Sequence, residues 1–182
     1  TYKSVIKNIG IIDILVNNAS AFDYDSLESS TSELFDRHIN VNLKAPFFLS
    51  KFFKKSLGSK NGLIINLLDQ RVKNITPYFT SYTISKYGLY ALTKSLALSL
   101  SPNIRVNGIS PGPTLKSQNQ SVKQFEQQIK RTLLMKKIKL DEINNAVGYL
   151  IENSSVTGEI LTLDSGESLG WSNTKSKKFR ND

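Results

Sequence analysis

Tyr82 and Lys86 stand four residues apart in Tyr82-Thr83-Ile84-Ser85-Lys86. On a helix that spacing puts a phenol and an ammonium on one face, one turn apart. A positive charge beside a phenol favours phenolate, so the pair is expected to lower the Tyr82 pKa and let it exchange a proton near neutrality. Tyr90 and Lys94 repeat the spacing, and spacing alone does not choose between the two pairs. Position does. Tyr82 opens a helical pattern that follows a buried apolar run, near the carboxyl end of a strand, where open α/β sheets bind their ligands. Tyr90 lies two turns deeper beside core-facing leucines and reads as structural.

Composition removes most other chemistry. The chain has 182 residues, no cysteine and a single histidine, His38. It therefore has no disulfide framework, no thiolate nucleophile and no Cys-type or multi-histidine metal site. Twenty-four basic residues against 15 acidic ones give a net charge of +9. The excess sits in two segments: residues 116–139, with seven basic residues against Glu126, and the tail with Lys175, Lys177, Lys178 and Arg180. Phe125 alone interleaves the first segment with an aromatic ring, so both read as solvated surface rather than a nucleic-acid groove. No apolar run approaches the roughly 20 residues a membrane span needs. Thr1-Tyr2-Lys3-Ser4 lacks a signal-peptide pattern, so the cytoplasm is the expected location and the Asn-x-Ser sequons at Asn18, Asn119 and Asn153 read as accidental.

The elements that must position Tyr82 and Lys86 follow from apolar patterning. Short Ile/Leu/Val runs at residues 11–16, 62–68, 104–109 and 160–163 read as strands buried on both faces. Three- and four-residue apolar steps predict a long helix over 32–56, bent near Pro46, and a second over 79–100 that Pro102 stops. A shorter amphipathic helix is expected over 141–152, and residues 117–134 carry moderate helical propensity. Strands alternating with helices give an α/β class with a parallel sheet. Residues 1–171 form one domain in this reading, followed by a flexible basic tail over 172–182, with Trp171 as a packing residue at the end of the sheet.

The ordered motifs resemble the short-chain dehydrogenase/reductase family over nearly the whole chain, up to about Leu169. Asn17-Asn18-Ala19, Asn42 within Val41-Asn42-Leu43-Lys44, Tyr82 with Lys86, Arg105-Val106-Asn107 with Pro111-Gly112, and Asp164-Ser165-Gly166 each match a family segment in order. Thirteen residues before Tyr82, where most members carry Ser, stands Asp69. That substitution, together with Ser20 and Phe22 after Asn17-Asn18-Ala19, is similar to the pteridine reductase and dihydromonapterin reductase subgroup. The resemblance implies an NADP(H)-dependent oxidoreductase that reduces a dihydropterin C=N bond. In that mechanism Tyr82 donates the proton, Asp69 holds the phenol, Lys86 binds the nicotinamide ribose and tunes Tyr82, and Asn42 holds a water on the relay. Phe22 stacks on the pterin, while Asn17, Asn18, Ala19, Ser20, Pro111 and Gly112 line the cofactor. On the residues alone, Asp69 could also be a strand-end turn residue, Phe22 a loop aromatic, and Asn17 and Asn42 ties between strand ends and helix backbone.

The same resemblance implies a doubly wound, Rossmann-like sheet of which this chain is the C-terminal part. No Gly-x-Gly-x-x-Gly turn exists in the sequence, and the first βαβαβ half of such a fold is not among these residues. The strand at 12–16 is then expected as an exposed apolar edge. The alternative reading is a non-catalytic truncated remnant or interaction module unable to bind a dinucleotide. Residues 113–140, with the apolar Leu133-Leu134-Met135, occupy the place of a substrate lid. The helices over 32–56 and 79–100 correspond to the family's dimer surfaces, so a homodimer or homotetramer is expected.

Overall fold

A computed structural model describes residues 2–118 and 120–169. Trp171 and the basic tail lie outside the described residues.

Four strands form one parallel sheet in the order β1-β2-β3-β4: β1 (Ile14–Asn17), β2 (Gly62–Leu67), β3 (Ile104–Pro111) and β4 (Ile160–Leu163). Leu15 stands opposite Ile64, Ile65 opposite Asn107, and Gly108 opposite Ile160. The alternation of side chains along each strand sorts the core into two layers. Ile64, Ile104 and Val106 face α3 (Ala45–Leu57) and α4 (Thr80–Ser99), meeting Phe53, Leu57 and Ala97. Leu63, Ile65, Leu67 and Ile109 face the opposite way onto Ala146 and Leu150 of α6 (Leu140–Glu152). The near-continuous apolar runs of β2 and β3 thus fit strands covered on both sides.

The first strand begins later than its apolar run implies. Residues 11–13 are not strand. A short helix, α1 (Tyr2–Ile9), which no sequence pattern announced, ends at Gly10 with φ 94°, and the chain enters β1 only at Ile14. β1 is the sheet edge. Leu15 turns to the α3 layer, while Ile14 and Val16 remain 39% and 41% exposed, α6 packing chiefly on β3 and β4. An uncovered apolar edge is a pairing hazard. Val16→Lys should therefore suppress aggregation on heating, read by light scattering, and move stability by no more than about 0.5 kcal/mol. A large fall in melting temperature would show that Val16 is covered after all.

The helix expected over 32–56 is α2 (Ser32–Ile39), a π-helical turn over Asn40–Lys44, and α3. The irregularity falls before Pro46 rather than at it. Pro46 has no N–H to offer the carbonyl of Asn42 four residues back, and its ring would collide with that carbonyl. The backbone takes the wider turn instead, closed by Ala45 N–H on Asn40 O. This turn carries Asn42 into the interior, fully buried.

Within 113–140, α5 (Val122–Arg131) is held at its start by a capping box in which Ser121 and Gln124 bond reciprocally. The apolar triplet divides. Leu133 lies against Gly166, whereas Leu134 and Met135 are exposed. Among the described residues no helix is long and apolar enough to cross a membrane.

Candidate active site

The segment that follows β2, the loop after β1 and the start of α4 meet at the Tyr82 hydroxyl. Tyr82 is buried and donates to Asp69 Oδ2 at 2.9 Å. Asp69 follows β2 and caps the short 3-10 turn Gln70–Val72, its Oδ1 accepting from Arg71 N at 2.8 Å. It is thus a strand-end turn residue and a partner of the phenol at once, one oxygen for each duty. Arg71 Nη1 lies 3.5 Å from Oδ1, across the same carboxylate.

The expected lowering of the Tyr82 pKa is not what the structure produces. Burial first, and then the negative charge and hydrogen bond of Asp69, push the phenol well above its ordinary value. Lys86 cannot offset this. Its ammonium sits 5.7 Å from the Tyr82 ring and donates to Leu67 O at 2.8 Å. The result is a phenol that keeps its proton at neutral pH, which suits a general acid rather than a base.

Lys86 is only 2% exposed, and burial brings it down from 10.5 to about 8, with Asp69 pulling upward against that. Between about pH 8 and 10.5 the unfolded chain holds a proton on this side chain that the folded chain has lost, so its contribution to stability rises with pH across that window. Below it the buried ammonium costs roughly 2–4 kcal/mol. Relative to Lys86→Met, the wild-type urea midpoint should therefore climb from pH 8 to pH 10. Parallel pH profiles of the two proteins would contradict this reading of Lys86.

Asn42 uses its side chain as a tie. Its side-chain oxygen accepts from Ala21 N at 2.8 Å and Ser20 Oγ at 3.2 Å, and its amide donates to Ala21 O and Ser85 Oγ, both at 2.9 Å. The amide is fully engaged in tying the loop after β1 to α4, so the side chain is not free to hold a relay water. Asn17 donates to Asn66 Oδ1 at 2.7 Å, and its own Oδ1 is buried without a partner among the described residues. Asn18 and Ala19 follow it into solvent, and Ser20 is exposed beside Asn42. Ser110 Oγ, at the end of β3, is likewise buried without a partner. These orphaned polar atoms at two strand ends fit an amide- or hydroxyl-bearing ligand.

Pro111 ends β3, and Gly112 makes a close approach to Asp164. A Cβ there would lie 2.8 Å from Asp164 Cα and 3.1 Å from Asp164 O. Asp164 cannot retreat, because its carboxylate holds Gly166 N and Ser168 N, each at 2.8 Å. Gly112→Ala should cost about 1–3 kcal/mol, read as a lower melting temperature; an unchanged value would mean the β3–β4 ends can part. Asn107 and Arg105 are also structural, bonding Val156 O and Glu159 N, and Leu150 O and Val156 O, respectively.

Phe22 packs its ring edge on Tyr82, centroids 4.7 Å apart at 73°, and lies flat on Phe79, centroids 4.7 Å apart at 3°. The expectation of a free face for substrate is thus corrected on one side, where Phe79 already stacks. The guanidinium of Arg71 lies 4.7 Å from the Phe79 centroid and 5.5 Å from that of Phe22. A cleft of about 510 Å³ between the 75–77 loop and Thr83, Ile84 and Tyr87 lies on the other side of α4 and does not include Tyr82.

A buried relay beneath Tyr82 escaped sequence reasoning. Asp25 Oδ2 accepts from Ser81 Oγ at 2.5 Å and Ser81 N at 3.1 Å, Ser81 Oγ meets His38 Nδ1 at 2.7 Å, and His38 Nε2 accepts from Asp23 N at 3.1 Å. With Nε2 accepting, the proton sits on Nδ1 and the ring is neutral. Burial holds the imidazole below its ordinary value, against the pull of Asp25 and Asp23. His38 also edges onto Tyr82, centroids 5.9 Å apart. Asp25, Ser81, Arg71 and Phe79 carried no motif by which they could have been found.

A family model described as enoyl-(acyl carrier protein) reductase matches residues 1–168. An uncharacterized oxidoreductase of Thermotoga maritima is 32% identical over 90% of this chain and 70% of its own length, and a carbonyl reductase [NADPH] 2 of Sus scrofa is 30% identical over 87% and 68%. Among solved structures, the FolM alternative dihydrofolate reductase 1 of Brucella suis, in complex with NADP, superposes with a TM-score of 0.91 at 42% identity, over 95% of this chain and 70% of that one. The chain spans just over two thirds of each of these proteins.

Proposed function

The chain belongs to the short-chain dehydrogenase/reductase family, and from that premise we propose that it acts as an NADP(H)-dependent reductase of a dihydropterin C=N bond. The observation that carries the reading is the 2.9 Å bond from the Tyr82 hydroxyl to Asp69, with the Phe22 ring packed on Tyr82. Its likeness to the NADP complex of the Brucella suis protein supports it further. Bound NADPH would supply a hydride to the carbon of the C=N bond.

Tyr82, held protonated by burial and by Asp69, gives its proton to the ring nitrogen as negative charge develops there. Asp69 aligns the phenol and leads replacement protons toward it from solvent. Phe22 offers an apolar ring surface for a flat heterocycle, and stacking restricts it to the plane in which its C=N bond meets Tyr82. Lys86 stands one turn below with a buried ammonium that would anchor a ribose hydroxyl, while Asn17 Oδ1 would accept from the nicotinamide end and Ser110 Oγ would bond it as donor or acceptor. Asn18, Ala19, Ser20 and Pro111 line that end, and Gly112 contributes by closing the strand ends on Asp164. The pyrophosphate grip is not among these residues, since no Gly-x-Gly-x-x-Gly turn occurs in the sequence. Across this reaction one substrate takes up a hydride and one proton, and Tyr82 ends as it began.

The same helices, α3 and α4, present Phe47, Phe48, Phe52, Ile84 and Leu98 to the outside, which supports self-association into a dimer or tetramer. The function is tested by NADPH consumption with a dihydropterin, a simple ketone and a 3-oxoacyl thioester. Turnover confined to the dihydropterin is expected, and turnover of either other substrate at a comparable kcat/KM would overturn the pterin assignment.

A further inference from the structure

Phe79 is the residue whose position the mechanism leaves unexplained. It precedes α4 with φ 59° and ψ 43°, a left-handed backbone conformation uncommon for a bulky side chain. No cap is gained in return, since Phe79 makes no side-chain capping bond. The conformation is pinned from both ends: Phe79 N donates to Asp25 O at 2.7 Å, and Phe79 O accepts from Thr83 N at 2.8 Å. Backbone strain of this kind persists where surrounding structure enforces it, and it gathers at ligand clamps and switch regions.

The strain places the Phe79 ring flat on Phe22, 3° from parallel, with the Arg71 guanidinium over both rings and Asp69 holding Arg71 from below. Two parallel rings flanked by a planar cation and by the Tyr82 ring make a cluster of the kind a flat heterocycle joins. Phe79 also meets Tyr24, ring centroids 5.3 Å apart at 84°, and Tyr24 is 56% exposed. Phe79 itself is half-buried, so its ring borders solvent.

We propose that Phe79 is a specificity-determining residue that stands in for substrate: its ring occupies, against Phe22 and under Arg71, the slot into which a flat bicyclic heteroaromatic stacks, and substrate enters by displacing it. The pterin reading supplies the identity of the ring; the slot itself does not depend on it. Non-planar and small substrates cannot recover the stacking that opening the slot gives up, so the self-stack discriminates against them. Arg71 stays with Asp69 and closes over the incoming ring.

The test is equilibrium binding of two probes to the full chain, with and without NADP⁺: oxidised pterin, followed by its fluorescence, and quinazoline, a flat bicycle without the pterin amino and oxo groups, followed by calorimetry. In Phe79→Ala and Phe79→Leu the competing stack is gone, and both probes should bind about two- to tenfold tighter than to the wild type. Unchanged or weaker binding in both variants overturns the proposal, since Phe79 would then be neutral or a productive wall. Should either variant fold poorly, para-fluorophenylalanine at position 79 gives a second reading. Its fluorine resonance should move on saturation with oxidised pterin, and a resonance that stays in place overturns displacement. Tighter quinazoline binding in a protein that does not reduce dihydropterin keeps the slot and removes the pterin assignment, whereas dihydropterin turnover without any gain in the variants does the reverse.

Discussion

Tyr82→Phe is expected to lower kcat for dihydropterin reduction by about 10²- to 10⁴-fold, the range for losing a positioned general acid. The ring is retained, so packing against Phe22 and His38 survives, and what is removed is the hydroxyl with its bond to Asp69 and its contact with Ser20. Stability should change by no more than about 1 kcal/mol. Tyr90→Phe is the internal control, since Tyr90 carries the same spacing to a lysine but packs against the Leu68, Leu89 and Ile160 core, whereas the Tyr82 hydroxyl bonds Asp69. It should leave kcat unchanged. Parallel assays of the two variants, with melting curves for each, separate loss of chemistry from loss of fold; equal effects on kcat would remove Tyr82 from the reaction.

Asp25→Ala should be the most destabilising of the substitutions considered, by about 2–4 kcal/mol. α4 has no cap from its own flanking residue, and the carboxylate of Asp25, 56 residues away in sequence, does that work by accepting from Ser81 N and Ser81 Oγ. It also places a negative charge at the positive end of a 20-residue helix. Burial pushes the Asp25 carboxyl up, but the two bonds from Ser81 outweigh it and hold the group below the ordinary value of 3.8. A carboxyl depressed by folding contributes stability that is complete above its unfolded value and is lost as pH falls toward the folded one. His38 acts with the same sign. Held neutral by burial, it resists a proton that the unfolded chain takes up below about 6.5. The wild type should thus lose stability on acidification below pH 6.5 and again below pH 3.8, and Asp25→Ala should show a smaller second loss. Tyr82 follows Ser81 directly, so kcat should fall along with the melting temperature. Asp25→Asn, which keeps an acceptor in place, should recover most of both. Urea unfolding from pH 3 to 8 checks the sequence of losses, and an Asp25→Ala curve parallel to wild type would refute it.

How much of this was legible varies by element, for physical reasons. β2, β3 and β4 announce themselves because a strand covered on both faces needs a near-unbroken apolar run, and α4 because its leucines recur at helical steps before Pro102. The start of β1 misleads, since Ile11 and Ile12 are as apolar as the strand but belong to the connection that leaves Gly10. Pro46 marked an irregularity correctly, yet whether proline bends a helix or widens the turn before it depends on what the carbonyl of Asn42 can do, which sequence does not show. Tyr82, Lys86 and Asp69 were nameable from spacing and resemblance. The direction of the Tyr82 shift was not, because it turns on where Lys86 points: the ammonium is spent on Leu67 O, leaving Asp69 as the dominant charge at the phenol. The Asp25–Ser81–His38 relay joins residues 43 and 56 positions apart, and no local pattern encodes such a contact.

The most direct measurement is the mass of the pterin recovered after incubating the protein with dihydropterin and NADPH deuterated at the transferable position of the nicotinamide. A tetrahydropterin carrying one deuterium, absent from the Tyr82→Phe reaction, is the expected product. Recovery of unreduced dihydropterin from folded protein that binds the nucleotide would contradict the assignment.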